Sequence, residues 1–168
     1  MNICIQQTWN GIGLEPAEEV TLSLEGDPSM GFRLTIDAPY WADKAPDGPQ
    51  GRRWQLWEYE VVELFLVGKG GDYVEFEFGP HGHYLALKLR APRQIEVDDV
   101  PLEYVSHIRG NRWIGRSEIP PTLVPAALAK YNAFAIHGMG PKRRYLSHVP
   151  LPGPRPDFHQ PDYFPSWP

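Results

Sequence analysis

Apolar residues recur at every second position over several short segments of the chain. Val20, Leu22 and Leu24 alternate with Thr21, Ser23 and Glu25, and Phe32, Leu34 and Ile36 alternate with Arg33, Thr35 and Asp37. A period of two is that of a half-buried strand. Gly26-Asp27-Pro28-Ser29 between them is turn chemistry, so the two segments are expected to pair as a hairpin. From Glu60 the alternation gives way to apolar residues on both sides. Val62, Leu64 and Leu66 form one row, and Val61, Phe65 and Val67 form the other with Glu63 set among them. That pattern predicts a central strand covered on both faces. In Tyr73–Phe78 the expected inward residues are Val74, Phe76 and Phe78, with Glu75 and Glu77 outward. His83, Leu85, Leu87 and Leu89 then share a face against Tyr84, Ala86, Lys88 and Arg90. The turns Gly68–Asp72 and Gly79–Gly82 join these three strands into an antiparallel meander.

Ile95–Val97, Glu103–His107, Arg112–Ile119, Tyr131–Gly138 and Arg144–Val149 complete about ten predicted strands. Residues 38–54, with three prolines and two glycines, read as a long loop. Pro120–Lys130 is the one helix candidate, and Pro125 limits it to a turn or two. The expected fold is an all-β antiparallel jelly-roll sandwich with little helix. Its body spans 1–150. Residues 151–168 form a proline-rich tail that is expected to wrap the same domain through Phe158, Tyr163, Phe164 and Trp167, because leaving those rings in water forfeits about 1.5–3 kcal/mol each.

Composition narrows the function classes. The chain has 168 residues, 22% charged and 42% apolar, with a formal net charge of -5. A broad basic nucleic-acid footprint does not fit that balance. Pro and Gly make up about a fifth of the residues, short of the roughly 25–30% of a low-complexity chain. The single cysteine, Cys4, forms no intrachain disulfide and fits a reducing compartment. With no membrane-length apolar run and no signal-like N-terminus, the expected location is the cytoplasm.

Four blocks carry a resemblance. They are Leu56-Trp57-Glu58-Tyr59-Glu60-Val61-Val62-Glu63-Leu64-Phe65, Gly79-Pro80-His81-Gly82-His83, Asn132-Ala133-Phe134-Ala135-Ile136-His137-Gly138 and Pro156-Asp157-Phe158-His159. Together they resemble the signature of a family of uncharacterised proteins found in bacteria and animals. That family is similar in fold to family 9 carbohydrate-binding modules, a jelly-roll sandwich of the DOMON-like group. Such modules hold a terminal sugar between two aromatic rings while a carboxylate, an arginine and an amide bond its hydroxyls. The resemblance places the carboxylate at Glu63 and the first ring at Trp57, with Tyr145 as the second. It also implies structural calcium, toward which Asp37 and Asp43 are the available hint.

The residues themselves raise the same positions. An ionised Glu63 among apolar neighbours needs a cation, a metal or a polar ligand, and Arg143 or Arg144 is the expected protein partner. Trp57 shares its parity, yet an extended strand separates the two by about 20 Å, so both reach one ligand only if the chain bends near Tyr59. Glu58 and Glu60 alternate onto the face opposite Glu63, and paired carboxylates there or at Glu75 and Glu77 suggest glycoside hydrolysis. His81, His83 and His137 are candidates for an open zinc site, against the plainer reading of histidines bonded to backbone. Asp157 and His159 could orient an imidazole or pin the tail. The candidate ligand set is therefore Trp57, Glu60, Glu63, His81, His83, His137, Arg144, Tyr145, Asp157 and His159. The leading expectation is a non-catalytic module for a small polar ligand, a sugar or glycan end. Beside it stand a metal-assisted or acid–base enzyme and an interaction scaffold. No nucleic acid or membrane partner is expected, and the chain is expected to be a monomer or weak oligomer.

Overall fold

The computed structural model describes residues 1–168. Its strands are β1 (Asn2–Ile5), β2 (Gln7–Thr8), β3 (Val20–Asp27), β4 (Gly31–Pro39), β5 (Gly51–Arg52), β6 (Val61–Gly68), β7 (Tyr73–Phe78), β8 (His83–Ala91), β9 (Gln94–Val97), β10 (Glu103–Arg109), β11 (Arg112–Ile119), β12 (Leu128–His137) and β13 (Arg144–Ser147). Five form one sheet in the order β1-β3-β4-β11-β10. Eight form the other, β2-β13-β12-β6-β7-β8-β5, with β9 added alongside β8. All pairings are antiparallel except the two-residue β5 on β8. The two-sheet antiparallel sandwich expected from the alternation is the fold observed.

Alternation explains the layering. Val20, Leu22, Leu24, Phe32, Leu34 and Ile36 face Val62, Leu64, Leu66, Val74, Phe76 and Ala86 across the sandwich, and all are buried in one core. The hairpin β3–β4 has the expected register, with Leu24 opposite Leu34. The other row of β6, Val61, Phe65 and Val67, lies on the far face of the large sheet in a second core with Leu85, Leu87, Leu89, Phe134 and Ile136.

The C-terminal tail covers that second core. Phe158 stacks on Phe134 with centroids 3.9 Å apart, and Phe164 packs edge-on against Phe65 at 5.8 Å. Leu151 is buried beside them. Trp167 crosses to the sandwich core, tilted against Phe32 at 5.5 Å, and Ser166 bridges to Lys130. Tyr163 differs from expectation: it sits in a short turn and remains 58% exposed.

The helix candidate at 120–130 is not a helix. Pro121–Leu123 makes one 3-10 turn and β12 begins at Leu128. Pro125 blocks extension, and pairing with β6 satisfies the backbone that follows. The other helical pieces are 3-10 turns of three residues. None of the helices is long and apolar enough to cross a membrane.

Candidate functional site

The segment before β6 decides the site. Gln55 adopts a left-handed conformation (φ 60°) and starts the 3-10 turn Leu56–Glu58, which ends on extended Tyr59. This is the bend that Trp57 and Glu63 need in order to meet. Both now line one cavity of about 320 Å³, together with Glu75, Leu87, Arg93, Tyr145, Asp157, Phe158 and His159. Its volume is at the low end of small-molecule sites, roughly 300–1,000 Å³. Tyr145 reaches it because β13 pairs with β12 in the register Ile136 opposite Tyr145.

Arg143 fixes the walls. Its guanidinium donates to the carbonyl of Trp57, to that of Glu58 at 2.9 Å and to that of Gly138 at 3.2 Å. It also lies 5.8 Å from the centre of the Tyr145 ring. The turn that carries it needs Gly138 (φ 76°), where a Cβ would stand 2.3 Å from the Lys142 carbonyl oxygen. One arginine thus ties the Trp57 turn to the strand that supplies the second ring.

Three carboxylates crowd the floor. Glu63 pairs directly across from Glu77, and Glu75 lies two residues along on the same face. One oxygen of each lies within 4.8 Å of the others. Glu63, Glu75 and Glu77 are only 2%, 4% and 0% exposed. Burial drives all three above the usual carboxylate range. Glu75 is pushed up to about 8. The negative charge of Glu75 raises Glu63 further, while Arg143 opposes it. The outward assignment of Glu75 and Glu77 was right in parity and wrong in consequence, because the face they point to is covered.

A polar chain runs along one wall. The Arg93 N–H donates to Tyr73 Oη at 3.3 Å, and Tyr73 Oη lies 2.7 Å from His159 Nδ1. The other ring nitrogen of His159, Nε2, lies 3.9 Å from Glu75 Oε2. Burial and the Arg93 charge hold His159 down to about 4. Asp157 accepts from Arg93 Nη2 at 2.6 Å and from the His159 amide at 3.0 Å.

Other expected site residues lie elsewhere. Arg144 is not the partner of Glu63, since it pairs with Glu18. Glu60 faces the 38–54 loop, accepting from the amides of Trp41 at 3.2 Å and Asp43 at 3.3 Å. Burial pushes it up to about 7 against those bonds. Asp43 in turn accepts from the Gly138 amide, and Asp37 pairs with Arg112 at 2.6 Å. Asp37 and Asp43 therefore have separate partners and form no shared ligand set.

The three histidines do not converge. His83 shares the face of Leu85 on the second core, His137 stacks on Trp41 at 4.0 Å on the opposite side, and His81 approaches Tyr40. The one group spaced to hold a metal is Glu63, Glu75 and Glu77, an all-oxygen set suited to a hard cation. A wider groove beside Arg33 and Glu118 is lined by their solvent-exposed ion pairs together with Met30, Leu102 and prolines.

Sequence reasoning missed Arg93 and the role of Glu75, and it placed Phe158 in the wrapping tail without placing it at the cavity. The Glu75 signal was present. Val74, Phe76 and Phe78 pair with the Val62, Leu64 and Leu66 row, so Glu75 and Glu77 had to share the face of Glu63. Arg93 is an exposed turn residue, and only the folded tail brings it to Asp157.

No protein-family model matches the chain. The human UPF0462 protein C4orf33 is 36% identical over 177 residues, spanning 99% of this chain and 87% of that protein. The mouse homologue is 33% identical, spanning 98% and 89%, and the zebrafish homologue is 33% identical, spanning 98% and 87%. A crystal structure of a protein from Bacteroides uniformis described as "putative carbohydrate-binding" superposes with a TM-score of 0.75 at 16% identity, covering 99% of this chain and 84% of that one.

Proposed function

The chain belongs to the UPF0462 family, and we propose that it is a non-catalytic binding protein for a small polar ligand, a sugar or glycan end, held in the cavity beneath the C-terminal tail. One observation carries the reading: Trp57, Tyr145 and Glu63 line the same cavity, although they come from three separate segments. Two rings supply stacking surface, and buried carboxylates supply hydrogen-bond acceptors for hydroxyls. The likeness to family 9 and DOMON-like modules leads to the same three positions. The Bacteroides structure, whose description names carbohydrate, supports the ligand class through fold alone.

Binding is favoured over hydrolysis by geometry. Glu63 and Glu75 rise from adjacent strands of one sheet face. Glycoside hydrolysis requires two carboxyl groups flanking the scissile bond. Side by side, these two grip one edge of a ligand.

Calorimetric titration with a panel of monosaccharides and disaccharides tests the proposal. Weak but saturable binding is expected, because one sugar buries little area against the cost of association. That binding should disappear in Trp57→Ala with the fold retained by circular dichroism. No heat from any sugar up to tens of millimolar would overturn it.

A further inference from the structure

The cavity floor holds more carboxyl groups than the protein pairs with cations. Each nearby cation makes its hydrogen bonds elsewhere. Arg144 pairs with Glu18 and Arg93 with Asp157. The Arg143 guanidinium is taken up by three backbone carbonyls. His159 is neutral, and its Nε2 stands beyond hydrogen-bond distance of Glu75. Tyr73, with its hydroxyl pushed up to about 12, brings no charge. Glu75 Oε2 is buried with no hydrogen-bond partner, as are both oxygens of Glu77. Glu75 lines the cavity between aromatic walls.

We propose that the natural ligand of this cavity carries a protonated amine, which sits against Glu63 and Glu75 while its ring lies along Trp57 and Tyr145: an aminosugar with a free ammonium group, or a glycan ending in one. This rests on the sugar-end reading above and specifies its chemistry. Sugar hydroxyls can donate to these oxygens, but they bring no positive charge to replace the protons that the buried carboxyls otherwise keep. An ammonium group brings a full positive charge and three donors. Indole and phenol faces attract a cation as well. In the free protein, protons stand in for the missing cation, so the arriving ammonium displaces one.

Calorimetry at pH 6.5, where the D-glucosamine amine is protonated, with D-glucose, N-acetyl-D-glucosamine, D-glucosamine and putrescine tests the proposal. D-glucosamine should bind at least about tenfold more tightly than the two uncharged sugars, the least that one charge-assisted hydrogen bond contributes. The advantage should vanish in Glu75→Gln and, as an independent variant, in Glu63→Gln. The wild-type binding heat should also change with the ionisation enthalpy of the buffer, reporting proton release. A deacetylated chitosan disaccharide binding more tightly than D-glucosamine would support the glycan end as source, and equal affinity the free aminosugar. Glucose or N-acetyl-D-glucosamine binding as tightly as D-glucosamine would overturn the amine and leave the sugar reading standing. Putrescine binding while every sugar is silent would support the cationic ligand and overturn the sugar. Silence from all of them would overturn both.

Discussion

Replacing Glu77 with Gln should make the protein less sensitive to rising pH. Glu77 is fully buried, neither carboxyl oxygen has a hydrogen-bond partner, and Glu63 and Glu75 crowd it. Burial first, and the crowding Glu75 and Glu63 carboxyls next, hold its carboxyl well above the usual range, while the Trp57 backbone opposes them. The folded chain therefore holds this proton to higher pH than the unfolded chain, which releases it near pH 4.3. Stability is thus fully present below the unfolded value and is lost as pH rises toward the folded one. One proton held only in the folded state contributes a loss of about 1.4 kcal/mol per pH unit. Glutamine has the same shape and carries no proton. Between pH 5.5 and 7.5 the variant should gain on the wild type, by at most about 3 kcal/mol or about 6–12 °C in Tm. Urea unfolding at pH 5.5, 6.5 and 7.5 measures this directly, with m-values compared to confirm the same transition. Parallel pH profiles for the two proteins would refute the reasoning, since they would mean that Glu77 is ionised in the fold.

Truncation after Pro150 removes three buried apolar side chains, Leu151, Phe158 and Phe164, worth about 5–9 kcal/mol together. That is most of a typical domain's stability, so the truncated chain should lose its cooperative thermal transition. His137→Phe keeps the stack on Trp41 but removes a histidine that burial holds down to about 4. Its depressed value makes the wild type lose stability as pH falls below about 6.5. The variant should therefore gain about 2 kcal/mol on the wild type between pH 6.5 and 5 by denaturant titration. Arg143→Lys cannot hold three carbonyls in one planar fork. It should lower stability by about 1–2 kcal/mol and weaken ligand binding by more than Arg144→Lys does.

The sandwich was legible because its strands alternate. Val20–Glu25, Phe32–Asp37 and Tyr73–Phe78 declare one face each, and the doubly apolar β6 declares a covered second face. What was not legible is what covers that face. Leu151, Phe158 and Phe164 sit among prolines with no periodicity, so only the folded tail shows that Glu75 and Glu77 are buried rather than solvated. β1, β2 and β5 were missed because four or two residues are too few to show a period. At the site, the parity of Trp57 and Glu63 was readable, while the turn that unites them depends on a left-handed Gln55, which carries no glycine to announce it. Arg144 and Glu60 were misplaced as partners because sequence distance does not reveal Glu18 or the 38–54 loop as competitors.

The central claim is that the cavity beneath the tail binds the ligand. Nitrogen-15 correlation spectra of the full chain, titrated with D-glucosamine to saturation, test it most directly. The account predicts shifts confined to the Trp57 turn, the Glu63 and Glu75 strands, Tyr145 and residues 156–159, with the Trp57 indole N–H, assigned by its loss in Trp57→Phe, moving among the most. Saturable shifts clustered instead beside Arg33 and Glu118, or spectra unchanged throughout, would contradict it.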